Sequence, residues 1–209
     1  MFNTMDVAET SAYEEVPIKD LNLLSDEDLY ERYICLSENE ALKILLIRHR
    51  EELSFFIYGI VGNMDDAEEI MLDAYAQAAA KNSTFHKKSS FKTWLFAIGR
   101  NLALKAVRKR RFSFVSINEE ISEDISDLQL PENNILTSEK NRLLYEAVNK
   151  LPSDYRQAIY LTFFENMSND EVAAVMKKSK KQVYNLIDRG KKELKQKLLL
   201  TGYDFLDSV

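Results

Sequence analysis

Between residues 89 and 111 the chain places Phe91, Leu95, Ile98 and Leu102 at steps of four, three and four. That is the spacing of one buried face of an α-helix. Trp94, the single tryptophan, stands beside the stripe, while Lys92 and Arg100 fall off it. Residues 64–80 predict another helix, with Ile70, Ala74 and Gln77 or Ala78 at helical steps and Asp65, Asp66, Glu68 and Glu69 near its start. Upstream, helical patterning runs through residues 29–63. Leu42, Leu45 and Leu46 mark one buried face, and Leu53, Phe56, Ile57 and Ile60 continue it. Ser25 followed by Asp26, Glu27 and Asp28 is a helix-start signature, and Gly59 and Gly62-Asn63 suggest where the run stops.

The second half has the same period but shorter elements. Leu144, Val148 and Leu151 form one stripe, and Pro152 opens the next helix at a position where its missing amide does no harm. Two capping boxes follow, 168–171 (Ser-Asn-Asp-Glu) and 179–182 (Ser-Lys-Lys-Gln). They delimit a short helix over 169–176, a polar turn, and a longer helix with Val183, Ile187, Leu194 and Leu198 on its buried side. A short helix joined to a second by about three residues is a helix-turn-helix pattern.

Composition supports an all-α chain: five Gly and three Pro leave little material for sheets joined by tight turns. The single Cys35 cannot form an internal disulfide, which fits a reducing cytosol. Residues 1–20 read as an acidic flexible leader without the apolar core of a signal peptide. No apolar run approaches the ~18 residues of a membrane span, so a cytoplasmic protein without membrane insertion is expected.

Charge changes the picture more. The chain carries −6 overall, yet residues 87–111 hold nine Lys or Arg and no acid. Residues 177–197 hold nine more against Asp188 and Glu193. The rest of the chain has ten bases and 32 acids. Two cationic stretches on an otherwise anionic protein imply two directed contacts with phosphate. Residues 112–139 carry seven acids and no base, with Pro131, and read as an interdomain linker; an acidic strand occupying a basic channel of a partner is the functional alternative.

The acids of 64–80 admit three readings: a metal site from Asp66, Glu69 and Asp73, dipole-favoured acids at a helix start, or an acidic surface for a basic partner. The loop before the central helix offers Asn82 and Ser83 for base edges, Phe85 and His86 for stacking, and Lys87 and Lys88 for phosphate. An ordinary polar loop is the plainer reading, as core packing is for Trp94. The last long helix begins with Lys180, Lys181 and Gln182 and exposes Tyr184, Asn185 and Asp188, where a major-groove reader places its contacts. Nothing supports catalysis or a cofactor: His49 and His86 are isolated, and neither lies at ligand spacing from Cys35.

These segments together resemble the bacterial extracytoplasmic-function sigma factors, over roughly residues 21–200. DAEEIMLDAY resembles the family's segment that docks on the polymerase clamp, and SSFKTWLFAIGRNLALKAVRKRR the part that melts and reads the minus-ten element. LPSDYRQAIYLTFFENMSNDEVAAVMKKSKKQVYNLIDRGKKEL resembles its second domain without a gap. The resemblance implies two small helical domains: a leader at 1–20, a region-2-like domain at 21–112, a linker at 113–138, a region-4-like domain at 139–202 and a tail at 203–209. Its implied partners are core RNA polymerase, promoter DNA and, as often in the family, an anti-sigma factor.

The polymerase contacts so implied are Asp66, Glu68, Glu69 and Asp73. The minus-ten set is Asn82, Ser83, Phe85, His86, Lys87, Lys88, Lys92, Trp94, Arg100, Arg108, Lys109 and Arg110. The minus-thirty-five set is Lys180, Lys181, Gln182, Tyr184, Asn185, Arg189 and Lys192. The chain departs from the family at Leu72, where Gln is usual, and at Lys105, where Asp is common and which falls on the apolar line. Tyr184 and Leu186 also stand where basic or small residues are frequent. Lys177 replaces a turn Gly; a Lys at positive φ costs roughly 1 kcal/mol, so another turn conformation is expected. The rival readings are a stand-alone helix-turn-helix repressor and a metal-dependent DNA-processing enzyme.

Overall fold

The computed structural model of the chain describes residues 21–80, 85, 89–115 and 139–200, and every regular element among them is helical. The patterned run over 29–63 is not one helix. It divides into α1 (Asp26–Leu36), α2 (Asn39–Arg48) and α3 (Arg50–Val61). Ser37 breaks it first, at φ 57°, and His49 second. The His49 break is anchored from a distance: its Nε2 lies 2.5 Å from Asp26 Oδ2, and Arg48 Nη1 donates to Oδ1 of the same carboxylate at 2.5 Å. Burial pushes the Asp26 carboxyl up, but His49 and Arg48 outweigh it and hold it below its ordinary value. Periodicity carries no sign of such a tertiary kink.

Local signals were more faithful at the helix ends. Ser25 Oγ accepts from the Asp28 amide and starts α1. Gly62, at φ 78°, ends α3, whereas Gly59 lies inside it. Asn63 Oδ1 then accepts from the Asp66 amide and starts α4 (Met64–Ala79). The central helix, α5, spans Phe91–Val115 and runs three residues past the predicted edge of the linker. It crosses α3 closely at Gly99, where a Cβ would stand 2.9 Å from Leu53 Cδ1 and 3.2 Å from Ile57 Cδ1.

The second half comprises α6 (Glu139–Asn149), α7 (Ser153–Ile159), a π-helical turn (Tyr160–Phe164), α8 (Asn169–Met176) and α9 (Lys180–Leu200). Both predicted capping boxes form: Ser168 with Glu171 on α8, and Ser179 with Gln182 on α9. The turn between α8 and α9 corrects one expectation. Lys177 does adopt the left-handed conformation, at φ 53° and ψ 45°. The Lys178 amide reaches Ala173 O at 3.1 Å and the Lys177 amide reaches Ala174 O at 3.4 Å, so the paired bonds of a helix C-terminus hold the turn. Those bonds offset the Cβ strain that glycine would have avoided.

The apolar faces meet in a large core shared by both halves and a small one within the second. Leu29, Leu53, Phe56, Leu95 and Phe96 belong to the same buried cluster as Val172, Val175, Met176 and Val183, and Val148, Leu151 and Ile159 form a smaller one. The two halves therefore pack directly on each other, α5 on α8 and α3 on α7. Residues 116–138, which carry most of the predicted linker, lie outside the described residues.

Candidate nucleic-acid interface

The helix-turn-helix presents its reading face to solvent. Lys180, Lys181, Gln182, Tyr184, Asn185, Arg189 and Lys192 are all exposed, and Tyr184 keeps 64% of its surface. The opposite face of α9 holds it in place: Val183 and Leu198 are buried, and Gly190 lets the helix lie close on α7, where a Cβ would meet Ile159 Cγ1 at 3.0 Å. Lys180 pairs with Asp170 at 2.6 Å and Lys192 with Asp188 at 2.9 Å. Both pairs are exposed, so water and salt screen them and phosphate can replace the acids. Gln182 is divided in role, since its Oε1 accepts from the Ser179 amide at 2.8 Å and caps the helix it sits on.

The central helix treats its charges differently. Phe91 is fully buried and joins Tyr30, Phe85 and Trp94 in an aromatic cluster, with ring centroids 5.0 Å (Tyr30–Phe91) to 5.9 Å (Phe85–Phe91) apart. Phe85 and Trp94 are half-buried there, so both serve packing in this state. Lys92 Nζ lies 2.7 Å from Glu165 Oε2, a carboxylate of the second half that is almost wholly buried. Arg100, expected on the polar side, is buried, and its Nε donates to Gln157 Oε1 at 2.6 Å. Burial lowers the Arg100 pKa from its ordinary value, and the Asp154 carboxylate counters part of that.

Arg108, Lys109, Arg110 and Arg111 are exposed at the far end, where Lys105 is exposed too and the helix continues beyond it. Arg110 pairs with Asp66 of α4. Asn82, Ser83, His86, Lys87 and Lys88 lie outside the described residues.

On α4, Asp65, Glu68, Glu69 and Asp73 are exposed around Leu72, which keeps 61% of its surface. An apolar side chain ringed by acids suits a partner with an apolar contact and a basic rim. Asp66 is set back from this face by its pairing with Arg110. Among the described residues, no three His, Cys, Asp or Glu are grouped to hold a metal ion, and no helix is long and apolar enough to cross a membrane.

Sequence reasoning missed the residues that join the halves. Arg156, buried, donates from Nη1 to Gly59 O and from Nη2 to Leu151 O, both at 2.8 Å. It thus caps the C-terminal end of α3 from the other half of the chain. Glu171 uses Oε2 for its own capping box, while its Oε1 accepts from the hydroxyls of Ser90, just before α5, and Thr93 in its first turn, each at 3.1 Å. Burial raises its pKa, yet the Ser168, Ser90 and Thr93 hydrogen bonds outweigh that and hold it below the ordinary value. Its capping role was legible from the Ser-Asn-Asp-Glu spacing; its reach across 81 residues to Ser90 was not.

Comparison with known proteins places both halves. Residues 45–113 match the family model for Sigma-70 region 2, and residues 141–194 match that for Sigma-70, region 4. The chain is similar to the ECF RNA polymerase sigma factor SigX of Bacillus subtilis, with 27% identity over 172 residues, covering 80% of this chain and 89% of that one. SigW of the same organism is 24% identical over 170 residues, covering 77% and 90%. The ECF RNA polymerase sigma-E factor of Escherichia coli K12 is 27% identical over 161 residues, covering 73% and 83%. Among solved structures, the fold is similar to the sigma factor RpoE of Bartonella quintana in complex with the anti-sigma factor NepR. There the TM-score is 0.59 at 27% identity, over 75% of this chain and 95% of that one. It is also similar in fold to CnrH in complex with the cytosolic domain of CnrY, with TM-score 0.58 at 22% identity, over 86% and 99%.

Proposed function

The chain belongs to the extracytoplasmic-function sigma factors, the promoter-specificity subunits of RNA polymerase, and from that premise we infer how its own residues divide the work. The exposed acids Glu68, Glu69 and Asp73 of α4 dock on the polymerase, with Leu72 at the centre of the contact and Asp66 bracing Arg110 behind it. The loop before α5 captures an unstacked base of the minus-ten element. Arg108, Lys109 and Arg110 then hold the opened strand's backbone, whereas Lys92 and Arg100, expected to share that role, are engaged by Glu165 and Gln157. Lys181, Gln182, Tyr184 and Asn185 enter the major groove at the minus-thirty-five element, with Lys180, Arg189 and Lys192 on phosphates.

The working units are residues 21–112 and 139–202, joined by 113–138. The observation that carries this reading is the seven-residue face of α9, wholly exposed on a helix whose opposite face is buried. Catalysis belongs to the polymerase, and the chain works in the cytoplasm on a stress-related set of promoters. Because the similar structure of RpoE is a complex with the anti-sigma factor NepR, we include such a factor among this chain's partners.

Transcription in vitro tests the reading, using genomic DNA fragments and core polymerase of the source organism, with and without the protein. New transcripts sharing a pair of upstream elements are the expected result. No transcripts, together with no core complex on gel filtration, overturns it in favour of a repressor.

A further inference from the structure

The connection between α4 and α5 is held at both ends by one helix, α1. Where α4 finishes, the Tyr30 hydroxyl donates to Ala78 O at 3.0 Å and the Tyr33 hydroxyl to Ala79 O at 2.6 Å. Where α5 begins, Glu27 Oε1 accepts from the Phe91 amide at 2.7 Å. Between the two, Phe85 packs on the Tyr30 ring in a T-shaped pair, with centroids 5.4 Å apart. Glu27, Tyr30 and Tyr33 stand at steps of three along α1, so one edge of a single helix makes all of these contacts.

The groups held are the ones a helix leaves without a partner of its own: the last carbonyls of α4 and the first amide of α5. Packing of α4 on α5 places the two helices. The bonds from α1 place the peptide groups that lead into the loop. The bond from Glu27 is the strongest in kind, because a carboxylate accepts from an amide at the positive end of the α5 dipole. Ser90 caps only the Thr93 amide, its Oγ accepting at 3.2 Å. Glu27 therefore supplies, from 64 positions away, a hold on Phe91 that the local sequence lacks. None of Glu27, Tyr30 and Tyr33 belongs to the polymerase or DNA contacts proposed above.

A loop that closes on an unstacked base must become ordered, and that ordering subtracts from the binding energy unless the backbone is restrained beforehand. Fixed ends reduce the conformations from which the loop starts. We propose that α1 is a positioning frame for the loop before α5, and that Glu27, by holding the Phe91 amide, promotes base capture and promoter opening without touching DNA. Glu27 is a positioning residue, since it acts through the Phe91 backbone. Its effect falls on strand opening and leaves duplex reading by α9 unchanged. The role in opening rests on the proposed function, whereas the frame itself is measurable without it.

The frame is tested on the full chain by amide hydrogen exchange, read by nuclear magnetic resonance. Glu27→Ala is expected to speed exchange at Phe91 at least tenfold while Leu53, buried in α3, changes less than twofold. Glu27→Gln keeps a side-chain oxygen that accepts the same bond, so its Phe91 exchange is expected within threefold of the parent. Unchanged exchange at Phe91 in Glu27→Ala overturns the frame. An equal rise at Phe91 and Leu53 also overturns it, because Glu27 would then support the fold at large.

Opening is tested with holoenzyme, on a promoter obtained from the transcription experiment, by permanganate reactivity of minus-ten thymines. Glu27→Ala is expected to lower reactivity at least fivefold, and Glu27→Gln to restore at least half of it. Core binding, and holoenzyme binding to a duplex that ends upstream of the minus-ten element, are expected to stay within twofold of the parent. Tyr33→Phe, which removes only the hydroxyl on Ala79 O, is expected to lower opening at least twofold. It carries the test alone if Glu27→Ala does not fold. Full opening in these variants, or core binding that falls as far as opening, overturns the positioning role. If the parent forms no core complex and opens no promoter, the proposed function fails, while exchange at Phe91 still decides the frame.

Discussion

Residues 87–111 and 177–197 carry nine Lys or Arg each, and the fold puts the two sets to different use. On α9 every residue expected to touch DNA is exposed, because Val183, Gly190 and Leu198 commit the opposite face to the core. On α5 the apolar stripe is buried as well, but a second contact surface claims part of the remainder. Arg100 is buried beside Gln157, Lys92 is paired with Glu165, and only the bases from Lys105 onward are exposed. Equal charge density therefore does not mean equal availability. A cation is available to phosphate only where no other element of the fold reaches it first.

The contrast can be broken most forcefully at the apolar root of α5. Phe91→Ala removes a fully buried ring from a cluster of four aromatics and is expected to destabilise the protein by about 3–5 kcal/mol. Urea denaturation with unchanged slope measures it; a loss below about 1 kcal/mol would mean that the contacts with the second half, rather than the stripe, hold α5. Next come single Ala replacements of Lys181, Gln182, Tyr184 and Asn185. Any of them that reads a base edge should weaken promoter binding by about 1–3 kcal/mol and relax preference at one position. For Lys181, Tyr184 and Asn185 the unfolding free energy should stay within about 0.5 kcal/mol, since each is exposed. Gln182 should lose stability too, because it caps its helix.

Acid sharpens the comparison in a different way. Asp26 and Glu171 both have pKa values depressed below 3.8 and 4.5 by their partners. A depressed carboxylate contributes stability in full above its unfolded pKa and loses it as pH falls through the folded one. Urea midpoints should be level between pH 7 and 5.5 and fall below about pH 4.5. The Glu171→Gln variant should fall less steeply over that window, and identical slopes would remove Glu171 from the account. The smallest effect is expected at Lys177→Gly, which relieves a left-handed Cβ at an exposed turn and should stabilise by up to about 1 kcal/mol without altering α9. Destabilisation there would show that the turn depends on the lysine side chain.

Much of this was legible from residue order because it depends on neighbours. Caps at Ser25, Asn63, Ser168 and Ser179 form from groups three positions apart, and a helix face is a matter of period. The all-α class, the helix-turn-helix and the exposed face of α9 follow from those local terms, and the family models match both halves. What local pattern could not supply is the pairing of surfaces far apart in the chain. The break at His49 is fixed by Asp26, the acceptor for Arg100 lies 57 positions away, and the carbonyl capped by Arg156 lies 97 positions away. A polar residue off an apolar stripe meets water or another element according to how the helices assemble. Periodicity therefore named α5's charged residues, and only helix packing settled which of them are buried.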